Sequence, residues 1–285
     1  MKLDFSDKKQ FLYNVRKIAK EKKVTPQIML QEVILDDLLD RISCSKYCDN
    51  LILKGGFLIG SILGISTRST RDIDTSVTGI LVSKEKMKEV FTEICAIRVP
   101  EDIINLKIRK IEDIREEAEY SGYRIYIDAS VYSTNVDIKI DISTGDVITE
   151  HAISYGHKLL LEDRVINIMT YNVETIIAEK LETVVSRMDL NTRLKDFYDL
   201  YLFCTSDKLE IDFNLLHKAL VATNNSRNTG ILLDKYYERL NILKNNEEMN
   251  KKWKLYQARN VYAQGINFKD TCDASMKLIL RAIKK

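Results

Sequence analysis

Proline and glycine are scarce in this chain, two and ten in 285 residues. That scarcity argues against a turn-dense all-β protein and for long helices. No run of about 18 apolar residues occurs, so no membrane-spanning helix is expected. The segment Met1–Lys8 lacks the apolar stretch of an export signal, so none is expected there. The five cysteines, Cys44, Cys48, Cys95, Cys204 and Cys272, form no Cys-x-x-Cys pair, and three histidines offer no zinc-ligand spacing. They read as reduced thiols of a cytoplasmic protein. Disordered and fibrous classes are excluded by what is present, 45% hydrophobic and 30% charged residues. The length suits one or two domains.

Net charge is also small, +2, but it is unevenly spread. Leu215–Lys285 holds 14 basic against 6 acidic residues, a net of +8, while the rest holds 30 against 36. A basic end on a mildly acidic body suits either a polyanion contact or a solvated helical surface. Within it, Lys251, Lys252, Trp253, Lys254, Tyr256, Arg259 and Tyr262 interleave cations with aromatics. They fit a nucleic-acid platform, in which the lysines and arginine meet phosphates and Trp or Tyr stacks on an unpaired base. They equally fit a helix whose aromatics are core.

The hydrophobic pattern predicts an amphipathic helix over Phe11–Lys20 and a second from Pro26 to about Ser43, capped by Thr25. Leu51–Lys54 reads as a buried strand stopped by Gly55-Gly56, and Phe57–Ile65 as a short helix. Strands are expected over 72–77, 104–111, 123–132 and 136–142, with a helix from Lys84 after the cap Ser83. Beyond Asn172, an N-cap, Val173, Ile176, Ile177, Leu181, Val184 and Val185 recur at helical period. Helices then run to the end. The expected fold class is α+β, a mixed sheet with N-terminal helices and a helical C-terminal half. Its divisions are 1–50 (helical cap), 51–160 (sheet domain) and 161–285 (helical domain).

Three constellations carry chemistry. Asp72-Ile73-Asp74 puts two carboxylates on one face of a strand, where they repel unless a cation lies between them. Upstream, Lys54-Gly55-Gly56 is a strand-to-helix turn able to bring backbone amides against phosphates. Downstream, Asp141 lies in an otherwise apolar strand and needs a partner. Lys180 shares the apolar stripe of its helix, with Arg187 seven residues on; it is either a phosphate ligand or a lysine reaching to solvent. Asp196 and Asp199 are helix neighbours, either surface pairs with lysine or groups that orient a nucleophile.

A Gly-Gly turn, Asp-x-Asp on the next strand and a third Asp on a later strand resemble nucleotidyltransferases of the polymerase-β type. There the carboxylates, here Asp72, Asp74 and Asp141, hold two metal ions. The resemblance extends to five ordered motifs. They are Leu53-Lys54-Gly55-Gly56, Arg68 to Asp74, Lys139-Ile140-Asp141-Ile142, Ala178-Glu179-Lys180-Leu181-Glu182 and Arg193-x-Lys195-Asp196-x-x-Asp199. Together they resemble the AbiEii/AbiGii nucleotidyltransferase toxin family, over about Phe11–Cys204. The family's Gly-Ser-x10-Asp-x-Asp signature also matches Gly60-Ser61. Gly55-Gly56 is favoured for the turn, because it follows a strand, whereas Gly60-Ser61 falls within a helix.

The resemblance implies transfer of a nucleoside monophosphate from an NTP, with Mg²⁺ or Mn²⁺, to an acceptor such as the 3′ end of tRNA. It implies the toxin half of an abortive-infection, phage-defence toxin–antitoxin pair, with an antitoxin encoded alongside. Catalytic roles are implied for Asp72, Asp74, Asp141, Lys180 and Asp199. Nucleotide contacts are implied for Lys54, Gly55, Gly56, Ser61, Arg68, Thr70, Arg71, Lys180, Arg187 and Asp196. Thr70, two residues before Asp72, is either a modification site or a loop hydroxyl. The competing readings are a small-molecule, antibiotic-type nucleotidyltransferase and a non-catalytic binding module.

Overall fold

A computed structural model describes residues 7–64, 72–100, 102–114 and 122–283. The chain divides into two compact units. Unit 1 comprises residues 1–146 and 152–170; unit 2 comprises residues 147–151 and 171–285.

Among the described residues, unit 1 is built on seven strands in the order β3-β4-β5-β2-β1-β7-β6. They are β1 (Leu51–Lys54), β2 (Asp72–Val77), β3 (Ile104–Ile114), β4 (Gly122–Val131), β5 (Thr134–Ser143), β6 (Ile153–Lys158) and β7 (Val165–Thr170). β2 and β5 run parallel at its centre, and the flanking hairpins are antiparallel. The mixed α+β architecture is thus the expected one. Two strands, β6 and β7, lie in a stretch where none was expected, because their alternation is short and interrupted by polar residues. α3 (Gly55–Leu63) follows β1 directly; α4 (Lys84–Ala96) packs against β3. α1 (Lys8–Glu21) packs on α2 (Pro26–Ser43), and α2 packs across β5 and β7.

Local chemistry explains the helix starts. Thr25 accepts from the Ile28 amide at 3.2 Å and Ser83 from the Lys86 amide at 3.1 Å. Proline at the first position of α2 gives up no hydrogen bond, since that amide has no partner in a helix. One sheet face is closed by Ile73, Ile125, Ile127, Ile138, Ile140 and Ile142, each at most 1% exposed. The opposite face carries the alternate residues, including both aspartates of Asp72-x-Asp74.

α2 carries a buried acidic edge. Asp36 pairs with His157, Asp37 with Arg41, and Asp40 with Arg164. Arg41, 1% exposed, also donates to Asp102 and to the carbonyls of Cys95, Ile97 and Ile104. Each of these three acids thus meets a cation or imidazole, as burial of charge requires.

Unit 2 is helical: α5 (Val173–Arg187), α6 (Leu194–Thr205), α7 (Phe213–Arg227), α8 (Lys235–Lys244), α9 (Glu247–Arg259) and α10 (Phe268–Ile283). α10 packs on α6, α7 and α8, and α5 on α6 and α7. Asn172 caps α5, accepting from the Thr175 amide at 2.8 Å. Trp253 is 1% exposed; its indole donates to the Ile266 carbonyl, and its ring stacks with Tyr256. Of the two readings of Trp253, base-stacking surface or core, the core one holds: it belongs to the core of this unit. All five cysteines are free thiols.

Candidate active site

Register brings the three unit 1 carboxylates together. Asp72 and Asp74 share a strand face, and Asp141 on β5 is the cross-strand partner of Asp74. All three are half-buried. Burial, with the negative charges of Asp141 and Asp74, holds the Asp72 carboxyl above its ordinary range, against the pull of Lys139 and Arg124. Such crowding is what a divalent cation relieves.

The Gly55-Gly56 turn sits directly against Asp74. Gly55 has φ +69°, and a Cβ there would lie 2.1 Å from Asp74 Oδ2. Only glycine fits both the backbone angle and the contact. The Gly56 amide donates to the same oxygen at 3.4 Å. Gly60-Ser61 lies inside α3, so the turn belongs to Gly55-Gly56.

Other sequence-expected residues have structural partners. Lys54 pairs with Asp146 at 2.8 Å, and Asp146 also accepts from the Ser143 hydroxyl. The Ser61 hydroxyl is hydrogen-bonded with His157 Nδ1 at 2.7 Å and with the Tyr155 hydroxyl at 3.2 Å. His157 Nε2 lies 2.8 Å from Asp36. Arg68, Thr70 and Arg71 lie outside the described residues.

Unit 2 gathers the later motifs. Lys180 Nζ lies 2.6 Å from Asp196 and 2.8 Å from Asp199, with both carboxylates at most 1% exposed. Arg193 adds a second cation on Asp196 at 3.1 Å. Burial pushes Asp196 up, but Lys180 and Arg193 outweigh it and hold the carboxyl below its ordinary value. The alternative of Lys180 reaching to solvent is excluded, since its head group is buried between two acids. Arg187 is exposed at the end of α5, outside that cluster.

Arg124 escaped the reading of the sequence. It faces Asp141 across the β4–β5 hairpin and donates Nε and Nη2 to both carboxylate oxygens, at 2.7 and 2.6 Å. The signal was the two-residue turn Tyr132-Ser133, which pairs Val131 with Thr134 and hence Arg124 with Asp141. Among the described residues no three His, Cys, Asp or Glu groups converge to hold a metal ion. The oxygen donors Asp72, Asp74 and Asp141 suit a hard divalent cation in chemistry and share one sheet face, but they do not converge, and Asp141 is turned to Arg124.

Comparison with known proteins supplies the family. The model of the AbiEii nucleotidyl transferase toxin, type IV toxin–antitoxin system, matches residues 37–273. No curated protein matches the chain. A crystal structure of a candidate nucleotidyltransferase from H. pylori superposes with TM-score 0.53 at 13% identity, covering 91% of this chain and 96% of that one. JHP933 from Helicobacter pylori superposes with TM-score 0.52, also at 13% identity, covering 90% and 93%. At that identity the likeness is one of fold.

Proposed function

This chain belongs to the AbiEii family of nucleotidyl transferase toxins of type IV toxin–antitoxin systems, and on that premise we propose that it moves a nucleoside monophosphate from an NTP to an RNA acceptor. The observation that carries this reading is the carboxylate face of β2 and β5 with a glycine turn seated against Asp74. Asp72 and Asp74 would hold Mg²⁺ or Mn²⁺, with Asp141 as the third ligand. That metal, when bound, lowers the barrier to attack by a hydroxyl on the α-phosphate and steadies the departing pyrophosphate.

The chain's own groups do the rest. The Gly55-Gly56 turn sets Asp74 against the start of α3, because a side chain at Gly55 would strike its carboxylate, and the amides of that turn are the phosphate contacts of this reading. Lys54 and Ser61, with Arg68, Thr70 and Arg71 by family resemblance alone, are the nucleotide contacts of this reading. Lys180, Arg187, Asp196 and Asp199 belong to the later family motifs, and in this reading Lys180 is a phosphate ligand. The buried Asp196–Lys180–Asp199 cluster holds that lysine in place.

The acceptor in this reading is the 3′ end of tRNA, the protein works in the cytoplasm, and its antitoxin partner is encoded alongside. A role in abortive infection of phage-infected cells follows from the same family. The test is incubation of the pure protein and Mg²⁺ with each labelled NTP, with and without total tRNA. The expected result is label on RNA, lost by at least about a thousandfold in Asp72→Ala/Asp74→Ala, or roughly 4 kcal/mol of barrier. Activity within about tenfold of the parent in that variant, roughly 1.4 kcal/mol, overturns the carboxylate assignment. Label on a small hydroxyl compound but never on RNA favours the antibiotic-type reading.

A further inference from the structure

Arg124 is placed by the fold and used by none of the chemistry above. Asp74, Asp141 and Arg124 form one cross-strand row over β2, β5 and β4, so the guanidinium stands on the carboxylate face. Its fork meets both oxygens of Asp141, the geometry in which an arginine–carboxylate pair is strongest. Glu112 follows Arg124 in the same row on β3, and Tyr126 lies two residues along β4. The row thus begins with two acids, Asp74 and Asp141, and places Arg124 between Asp141 and Glu112.

We propose that Arg124 is a positioning residue that holds Asp141 in an ion pair and competes with the divalent metal for it, so that full loading of the carboxylate centre requires this arginine to let go. The inference rests on the reading of Asp72 and Asp74 as metal ligands. Two physical facts support it. The fork occupies one lone pair on each Asp141 oxygen and fixes the carboxylate's plane toward Arg124, so fewer oxygen sites face Asp72 and Asp74. A fixed positive charge beside those oxygens also repels a second cation. A metal and an arginine that weaken each other's hold on one carboxylate are coupled, and the coupling is reciprocal.

The experiment is a double-mutant cycle on the intact chain, read by Mn²⁺ binding without nucleotide, with free Mn²⁺ followed by electron paramagnetic resonance. Arg124→Gln is expected to tighten Mn²⁺ binding by about fivefold, the scale of coupling between contacting charged groups. In the Asp141→Asn background the same substitution is expected to change affinity by less than about twofold. An equal gain in both backgrounds overturns the proposal, because the arginine then acts only as a distant charge. No gain in either background overturns it as well. Circular dichroism checks folding; if Arg124→Gln unfolds, Arg124→Lys, which keeps the charge but loses the fork, takes its place in the cycle and a smaller gain is expected. Mn²⁺ binding that survives Asp72→Ala/Asp74→Ala overturns the underlying metal assignment. A flat cycle with that control intact overturns the role of Arg124 alone.

Discussion

The two units handle clustered carboxylates in opposite ways. On β2, Asp72 and Asp74 crowd each other on a half-buried face, and burial with their mutual repulsion favours protonation of Asp72. In α6, Asp196 and Asp199 are more deeply buried, yet Lys180 and Arg193 keep Asp196 ionised below its ordinary range. The same residue type is destabilised as an anion in one place and stabilised in the other. An under-compensated cluster asks for an external cation. A compensated cluster organises the cation it already has.

The contrast breaks most visibly through stability. Lys180→Met removes the cation shared by two buried acids and is expected to cost about 3–5 kcal/mol. Asp74→Asn, in a crowded half-buried site, is expected to cost no more than about 1 kcal/mol. Urea unfolding of both variants checks this, and equal losses would erase the distinction between the clusters.

A second acidic set, on α2, sharpens it through pH. Burial pushes the Asp37 carboxyl up to about 6, against the pull of Arg41. Its folded value exceeds its unfolded one, so its contribution is fully present below about pH 4 and is lost as pH rises through 6. The loss is at most about 3 kcal/mol, from roughly two pKa units. Asp37→Asn removes the titration, so parent stability relative to the variant should fall between pH 4 and pH 7. A difference that stays constant over that range would sink the assignment.

Glycine substitutions separate the units at smaller cost. Gly55→Ala and Gly230→Ala both meet positive φ, +69° and +65°, worth about 1–2 kcal/mol each. Only at Gly55 does the added carbon strike another group, Asp74 Oδ2. Transfer activity is therefore expected to drop about tenfold or more with Gly55→Ala and to hold with Gly230→Ala, about 1.4 kcal/mol of barrier apart. Matching activities would mean that the turn does not set the position of Asp74.

The smallest effect concerns acceptor binding. Lys251 and Lys254 are exposed on α9, whereas Lys252 is engaged by the Asp189 carbonyl and Glu248. If the exposed pair touches RNA phosphates, replacing both by Gln flattens the slope of log affinity against log salt by about 1.4. An unchanged slope places the RNA elsewhere.

What the sequence made legible was local. Caps at Thr25, Ser83 and Asn172 act within three residues, and the two-residue period of Asp72-Ile73-Asp74 fixes a shared face at once. The kinship of Asp141 with Asp74 came only by family resemblance, because a parallel pairing across 67 residues leaves no mark on either strand. Arg124 was readable in principle once the Tyr132-Ser133 turn was located. Strands β6 and β7 were missed, and with them His157 as the link from Ser61 to Asp36. Trp253 was ambiguous because an aromatic at helical spacing has the same pattern in a core as on a platform. Its burial is set by Phe268 and the Ile266 carbonyl, beyond the helix that holds it.

The acidic edge of α2 also has a consequence in time. Asp36 and Asp40 find His157 and Arg164 across 121 and 124 residues of chain. At synthesis rates of about 5–20 residues per second, their partners emerge roughly 6–25 s after the helix itself. Through that interval Asp36 and Asp40 lack the partners that let α2 bury them, and only Asp37 has its cation, Arg41, on the same helix. It must wait in water or on a chaperone, and unit 1 can close only when the β6–β7 hairpin has left the ribosome.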